Sequence, residues 1–148
     1  MSFEDAIASL GAELGFDLPV AEGVARLEAA GGEGDVFDVA LSEMPDVGGV
    51  LLSSEVGELS EVTALQPLLE ANHIFAETAG ATLSLADGHL YFEQYVPLSA
   101  IGRGEGAGIV KLFVVHARDW RQRIAGRNSA AADTVETDIS DMPSSFRA

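Results

Sequence analysis

The sequence contains no cysteine among its 148 residues. This absence excludes disulfides, thiolate zinc sites, iron–sulfur clusters and a cysteine nucleophile, and it fits a reducing compartment. Long hydrophobic runs are also missing, since no stretch approaches the roughly 20 apolar residues that a membrane-spanning helix needs. The first residues, 1–5, are acidic where a secretion signal would be basic. We therefore expect a soluble, cytoplasmic protein.

Basic residues are nearly absent from most of the chain. Residues 1–102 hold 18 acids and a single base, Arg26, whereas residues 103–127 hold six bases against two acids. The net charge of −16 predicts a surface that repels phosphate backbones and anionic lipids, so nucleic-acid and membrane binding are not expected and protein partners are favoured. The basic stretch is interpreted as cations in the last turns of a helix, where they complement its dipole, in preference to an anion site.

Three segments have the spacing of helices. Ser2 and Asp5 form a capping pair, and apolar residues then recur at helical intervals as far as Leu14, before Gly15 ends the segment. A second helix is predicted from about residue 64, where Thr63 begins another capping pattern, to about residue 77. A third is predicted over about 108–125, and its strongly apolar first half indicates burial on more than one side.

Five segments alternate with the period of strands, near residues 24–30, 36–42, 50–56, 82–85 and 90–96. Short turns rich in glycine and aspartate separate them, which is typical of antiparallel hairpins. The resulting order is α-β-β-β-α-β-β-α. The length suits a single domain over residues 1–126, and the loss of large apolar residues after Gly126 predicts a disordered tail over residues 127–148.

Catalytic and metal-binding motifs are not found. His73, His89 and His116 are scattered without the spacing of a metal site, and the glycines from Gly102 to Gly108 do not match a phosphate-binding loop, so they are interpreted as a flexible linker. We assign no catalytic, cofactor or metal residue and expect no enzymatic activity. An enzyme that uses carboxylates stays open as a hypothesis, and it would require buried carboxylates that converge in a cleft with raised pKa values.

The segment Leu68-Leu69-Glu70-Ala71-Asn72, followed by residues 80–85 and by Asp87-Gly88-His89-Leu90, resembles the class I type III secretion chaperones, the CesT/SycE-like or Tir chaperone family. The resemblance covers roughly residues 2–125. It implies an α+β fold, a twisted antiparallel sheet of about five strands with three helices, assembled as a homodimer. It also implies a cytosolic chaperone that uses no cofactor and keeps the N-terminal region of a secreted effector soluble and competent for export.

The same resemblance implies two sets of site residues. The effector-binding set lies on the first helix and the adjoining sheet: Phe3, Ile7, Leu10, Leu14, Leu27, Phe37 and Val39. The dimer-interface set lies on the second helix: Leu65, Leu68, Leu69, Asn72 and Phe75. Both sets have an alternative as the core of the monomer, and we expect only some of the first to be exposed. A regulatory protein-interaction domain of the same fold, without a role in secretion, is the alternative function.

Overall fold

A computed structural model of the chain describes the main chain of residues 1–59, 65–75 and 77–140, and the side chains of these residues as far as Asn128, except residue 74. The described part has six strands, four α-helices and one 3₁₀ turn. The helices are α1 (Phe3–Leu14), α2 (Leu65–Ala71), α3 (Leu98–Gly102) and α4 (Gly106–Ser140), and the 3₁₀ turn is His73–Phe75. The strands are β1 (Val20–Ala21), β2 (Val24–Gly32), β3 (Asp35–Met44), β4 (Gly49–Glu58), β5 (Thr82–Ala86) and β6 (His89–Pro97).

The strands form one antiparallel sheet in the order β1-β2-β3-β4-β6-β5. Alternate residues such as Leu27, Val39 and Leu52 are buried on one face, and their neighbours are more exposed on the other. Helix α4 packs against β4, and α1 packs against α3 and α4. The α+β class and the five predicted strands are thus confirmed. The structure adds the two-residue strand β1 and the short helix α3.

Helix α1 begins and ends where its caps predict. The Ser2 hydroxyl accepts a hydrogen bond from the Asp5 amide at 3.1 Å, and the Asp5 carboxylate accepts one from the Ser2 amide at 3.4 Å. At the other end Gly15 adopts φ 87°, a conformation that glycine reaches without a steric penalty, and its amide donates to the Gly11 carbonyl. Local sequence chemistry therefore determines both ends of this helix.

Helix α2 is shorter than predicted. It ends at Ala71 instead of near residue 77, and the chain continues as the 3₁₀ turn. Phe75 has φ 55°, a left-handed conformation through which a right-handed helix cannot continue. The predicted capping pattern at Thr63 lies outside the described residues.

Helix α4 is longer than predicted and buries only one side. It was expected to end near residue 125, before a disordered tail, but it continues to Ser140, and residues 141–148 lie outside the described part. Gly126 does not adopt the positive φ of a helix-ending glycine, and a glycine within a helix costs only about 1 kcal/mol, which the alanines at 130–132 help to offset. The basic residues near Arg121 consequently lie in the middle of the helix, so their interpretation as partners of its C-terminal dipole is wrong.

One side of α4 supplies two of the largest side chains in the core. Trp120, the largest buried side chain, is 1% exposed, and the ring of Phe113 lies 5.2 Å from that of Phe92 on β6. Burial of each such side chain contributes about 1.5–3 kcal/mol. On the opposite side Leu112 and Val115 are 56% and 48% exposed, which contradicts the prediction that this segment is buried on more than one side. The predicted flexible linker before α4 is also more ordered than expected, because α3 ends at Gly102 and α4 begins at Gly106.

Candidate protein-binding site

The seven residues predicted to bind an effector do not form an exposed groove. Six of them are buried, with relative exposures from 0% to 7%, and the seventh is partly buried against the same core. These are Phe3, Ile7, Leu10, Leu27, Phe37 and Val39, with Leu14 at the margin. The expectation that some of the set would be exposed is wrong for this structure, because the single apolar face of α1 is already used against α3, α4 and the shared core.

The free edge of β2 offers a different binding surface. Strand β1 covers only the first two residues of β2, Val24 and Ala25, through pairs with Ala21 and Val20. From Arg26 to Gly32 the outer edge of β2 has no neighbouring strand in the described part of the chain. The backbone groups that this segment directs outward are therefore not paired with a strand of the described part.

The direction of the backbone groups along this edge follows from the register of the sheet. The Ser54 hydroxyl of β4 donates to the Asp38 carbonyl at 2.9 Å, so Asp38 directs its backbone groups toward β4. Its neighbour Val39 must then face β2, where it pairs with Leu27. Leu27 in turn directs its N–H and C=O groups toward β3. Because these directions alternate along a strand, Glu28 directs both groups to the outer edge, as do Arg26 and Ala30.

The exposed edge has the features that natural sheets use to limit unwanted pairing. Arg26 and Glu28 place exposed charges along it, and Gly32, after a register shift, ends it. An extended peptide can nevertheless bind to such an edge through main-chain hydrogen bonds, with specificity supplied by side chains. The strand was predicted from the sequence over about residues 24–30, with residues 31 and 32 in the following loop, and the short β1 that leaves this edge open was not predicted.

At the opposite edge of the sheet, Asn72 bonds the backbone of one residue of β5, Leu83. Its side-chain amide donates to the Leu83 carbonyl at 2.9 Å, and its side-chain oxygen accepts from the Leu83 amide at 2.8 Å. These two bonds satisfy the outward backbone groups of Leu83 on β5, whose other side pairs with β6. Asn72 was predicted at a dimer interface, but the structure uses its side chain within the chain, to join the end of α2 to an edge strand.

Helix α2 divides its apolar residues between core and surface. Leu68 is 2% exposed and belongs to the core of its own chain. The prediction that it lies at a dimer interface is therefore wrong. Leu69 is 58% exposed and Phe75 51%, and Leu65 is half-buried. Leu65, Leu69 and His73 line a shallow depression on the outer side of the helix. Leu65, Leu69 and Phe75 are called the α2 patch below.

Arg121 of α4 accounts for part of the unusual basic stretch. Its guanidinium donates to the Glu55 carbonyl at 2.9 Å and to the Asp35 carboxylate at 3.2 Å, and it lies 5.0 Å from the centre of the Phe37 ring. It joins α4 to β3 and β4 at a point where these two strands are no longer paired, since their register ends at Ala40. Arg121 is therefore a structural cation, satisfied by its own chain.

Comparison with known proteins identifies this architecture. Residues 5–121 match the model of the Tir chaperone protein (CesT) family. No curated protein sequence matches the chain. No helix in the described part of the chain is long and apolar enough to span a membrane.

Solved structures with the same fold include complexes from type III secretion systems. A chain of the heterodimeric ExoU–SpcU complex of Pseudomonas aeruginosa is 20% identical with a TM-score of 0.55, and the match covers 79% of this chain and 93% of that one. A second match is to the Yersinia pestis type III secretion chaperone SycH in complex with a fragment of YscM2. It has 15% identity and a TM-score of 0.61, and it covers 78% of this chain and 97% of that one. A chain of the HopA1–SchA chaperone–effector complex is 20% identical with a TM-score of 0.57, and the match covers 81% of this chain and 93% of that one. At these identities the matches show the fold.

Proposed function

The chain belongs to the Tir chaperone protein (CesT) family, and we propose that it binds the N-terminal region of a secreted type III effector in the cytoplasm and keeps that region soluble and competent for export. The family is a chaperone family, and the matched structures include a chaperone–effector complex and a type III secretion chaperone bound to a fragment of YscM2. The proposed activity is binding alone, without catalysis or a cofactor.

The observation that carries this proposal most directly is the free edge of β2. A segment that must stay unfolded for export cannot offer a folded surface, but it can offer its backbone. The edge from Arg26 to Gly32 matches that requirement, because its N–H and C=O groups are available at alternate residues. We propose that an extended effector segment adds a strand there.

A second part of the proposal is a homodimer formed through the α2 patch. The patch contains two large exposed apolar side chains, Leu69 and Phe75, in a chain that is strongly acidic. Contact between two copies of the patch about a two-fold axis would bury these side chains. Leu65, at the margin of the patch, completes the proposed interface.

The first experiment identifies the client. The protein is captured at native levels from its source cells, and co-purifying proteins are identified by mass spectrometry. The proposal expects a larger protein that binds through its N-terminal ~50–100 residues, which become protected from proteolysis in the complex. A partner bound only through a folded domain would contradict the chaperone function and favour the regulatory alternative.

The proposed binding edge is tested by two substitutions at one position. Glu28→Pro removes an outward N–H and is tolerated on an open edge, whereas Glu28→Ala removes the same charge and keeps the N–H. We expect the proline variant to bind the client segment at least about tenfold more weakly, the equivalent of about 1.4 kcal/mol, and the alanine variant to bind nearly as well as the parent. Equal affinities for the two variants would place the segment elsewhere, and circular dichroism checks that both are folded.

A further inference from the structure

A β-bulge near the end of β4 gathers three potential metal ligands on one face of the sheet. Glu55 pairs with Tyr91 and Glu58 pairs with His89, so the two glutamates are three positions apart whereas their partners are only two positions apart. In a regular strand this odd spacing would place Glu55 and Glu58 on opposite faces. The extra residue in the bulge places both on the face that carries His89.

The bulge depends on Gly57. This residue adopts φ 154°, which residues with a side chain rarely adopt, and a Cβ atom there would lie 2.5 Å from the side chain of Ile124 on α4. The close approach of α4 therefore requires glycine at this position. The backbone therefore fixes the placement of the three residues on one face of the sheet.

The ligand atoms are close enough to share one ion. His89 Nδ1 lies 2.6 Å from a Glu55 oxygen and 3.9 Å from a Glu58 oxygen, and all three ligand atoms lie within 4.8 Å of one another. Tetrahedral zinc with bonds of about 2.0–2.2 Å holds its ligand atoms about 3.3 Å apart, a value between the two observed separations. Small rotations of these three accessible side chains would give that geometry.

The donor atoms of Glu55, Glu58 and His89 indicate which metal ion the site would bind. An imidazole with two carboxylates suits zinc and similar transition metals, whereas magnesium and calcium prefer oxygen ligands alone. With three protein ligands, a fourth position remains for water.

From this geometry we propose that Glu55, Glu58 and His89 form a Zn²⁺ site that joins β4 to β6. The histidine spacing in the sequence did not indicate it, because Glu55 lies 34 residues before His89. A metal bound only by the folded chain stabilises it, and here the ion would hold together the two strands at the end that carries the β5–β6 hairpin. The proposal does not depend on the chaperone function.

The test uses the full-length protein after treatment with a chelator and dialysis. Calorimetric titration with zinc chloride at neutral pH should give one Zn²⁺ per chain with micromolar affinity, and the unfolding midpoint should rise with zinc. Co²⁺ in place of zinc should give the visible absorption of a four-coordinate site. His89→Gln and Glu58→Gln should each weaken zinc binding by more than about tenfold. A loss of that size is typical even for residues that only hydrogen-bond to a metal ligand.

His116→Gln is the matched control, because it removes a histidine of α4 that lies outside the cluster. It should bind zinc as the parent does. Binding without a defined stoichiometry, or equal affinity in the parent and in His89→Gln, would overturn the proposal and assign any bound zinc to the general acidity of the surface.

Discussion

Helices α1 and α2 carry similar apolar patterns but use them differently. In α1, the residues Phe3, Ile7 and Leu10 are all 2% exposed or less. In α2, Leu68 is equally buried, whereas Leu69 directly after it is 58% exposed. Both helices were predicted to provide protein-binding surfaces, and only α2 leaves a large apolar side chain available for one.

The difference shows that the apolar side of a helix is buried only where other elements of the fold pack against it. Helix α1 lies against both α3 and α4, so its apolar side chains are enclosed. Helix α2 has seven residues and contacts the edge strand β5 and the following 3₁₀ turn, so only one of its sides is buried. Substitutions at equivalent apolar positions of the two helices should therefore have opposite consequences for folding and association.

The largest effect is expected for Leu10→Asp in α1. Loss of a buried leucine costs about 2–5 kcal/mol, and burial of a carboxylate adds to it, so the substitution should remove most of a typical stability of about 5–15 kcal/mol. Urea denaturation followed by circular dichroism measures the change. Leu112→Asp, at a leucine of α4 that is 56% exposed, is the control and should change stability by less than about 0.5 kcal/mol. A Leu10→Asp protein of normal stability and reduced client binding would instead restore α1 as a binding surface.

An intermediate effect is expected for Asn72→Ala at the end of α2. It removes both hydrogen bonds to Leu83 and should cost about 1–3 kcal/mol. Hydrogen exchange of the Leu83 amide, which donates to the Asn72 oxygen, should become faster. Asn72→Asp keeps the acceptor and loses the donor, so it should protect this amide better than alanine does. Unchanged exchange in both variants would show that Asn72 does not bond the backbone of Leu83.

The smallest effect on the stability of the single chain is expected for Leu69→Glu in α2. Because Leu69 is exposed, the change should be less than about 0.5 kcal/mol. A charge at the centre of the proposed interface should nevertheless abolish the dimer, leaving a mass of 15.4 kDa by light scattering. Leu112→Glu changes an equally exposed leucine outside the α2 patch and should leave the dimer intact. A Leu69→Glu protein with twice the mass of one chain would refute the interface.

The sequence predicted best where the signal is local. The Ser2–Asp5 cap and Gly15 defined α1 correctly, and the period-two segments identified five strands. The errors arose where contacts between distant residues decide the outcome. The end of α2, with Asn72 bonded to Leu83, depends on a strand eleven residues away, and the exposure of Leu112 depends on how α4 lies against the sheet.

The sequence by itself determined the order of the five longer strands and of three helices, the acidic surface and the resemblance to a chaperone family, because periodicity, caps and charge are properties of neighbouring residues. Only the tertiary structure decided which apolar residues are free, which edge of the sheet is open, and that Glu55, Glu58 and His89 meet. Each of these depends on how elements distant in the chain share a limited area of core and a fixed register, which local patterns do not specify.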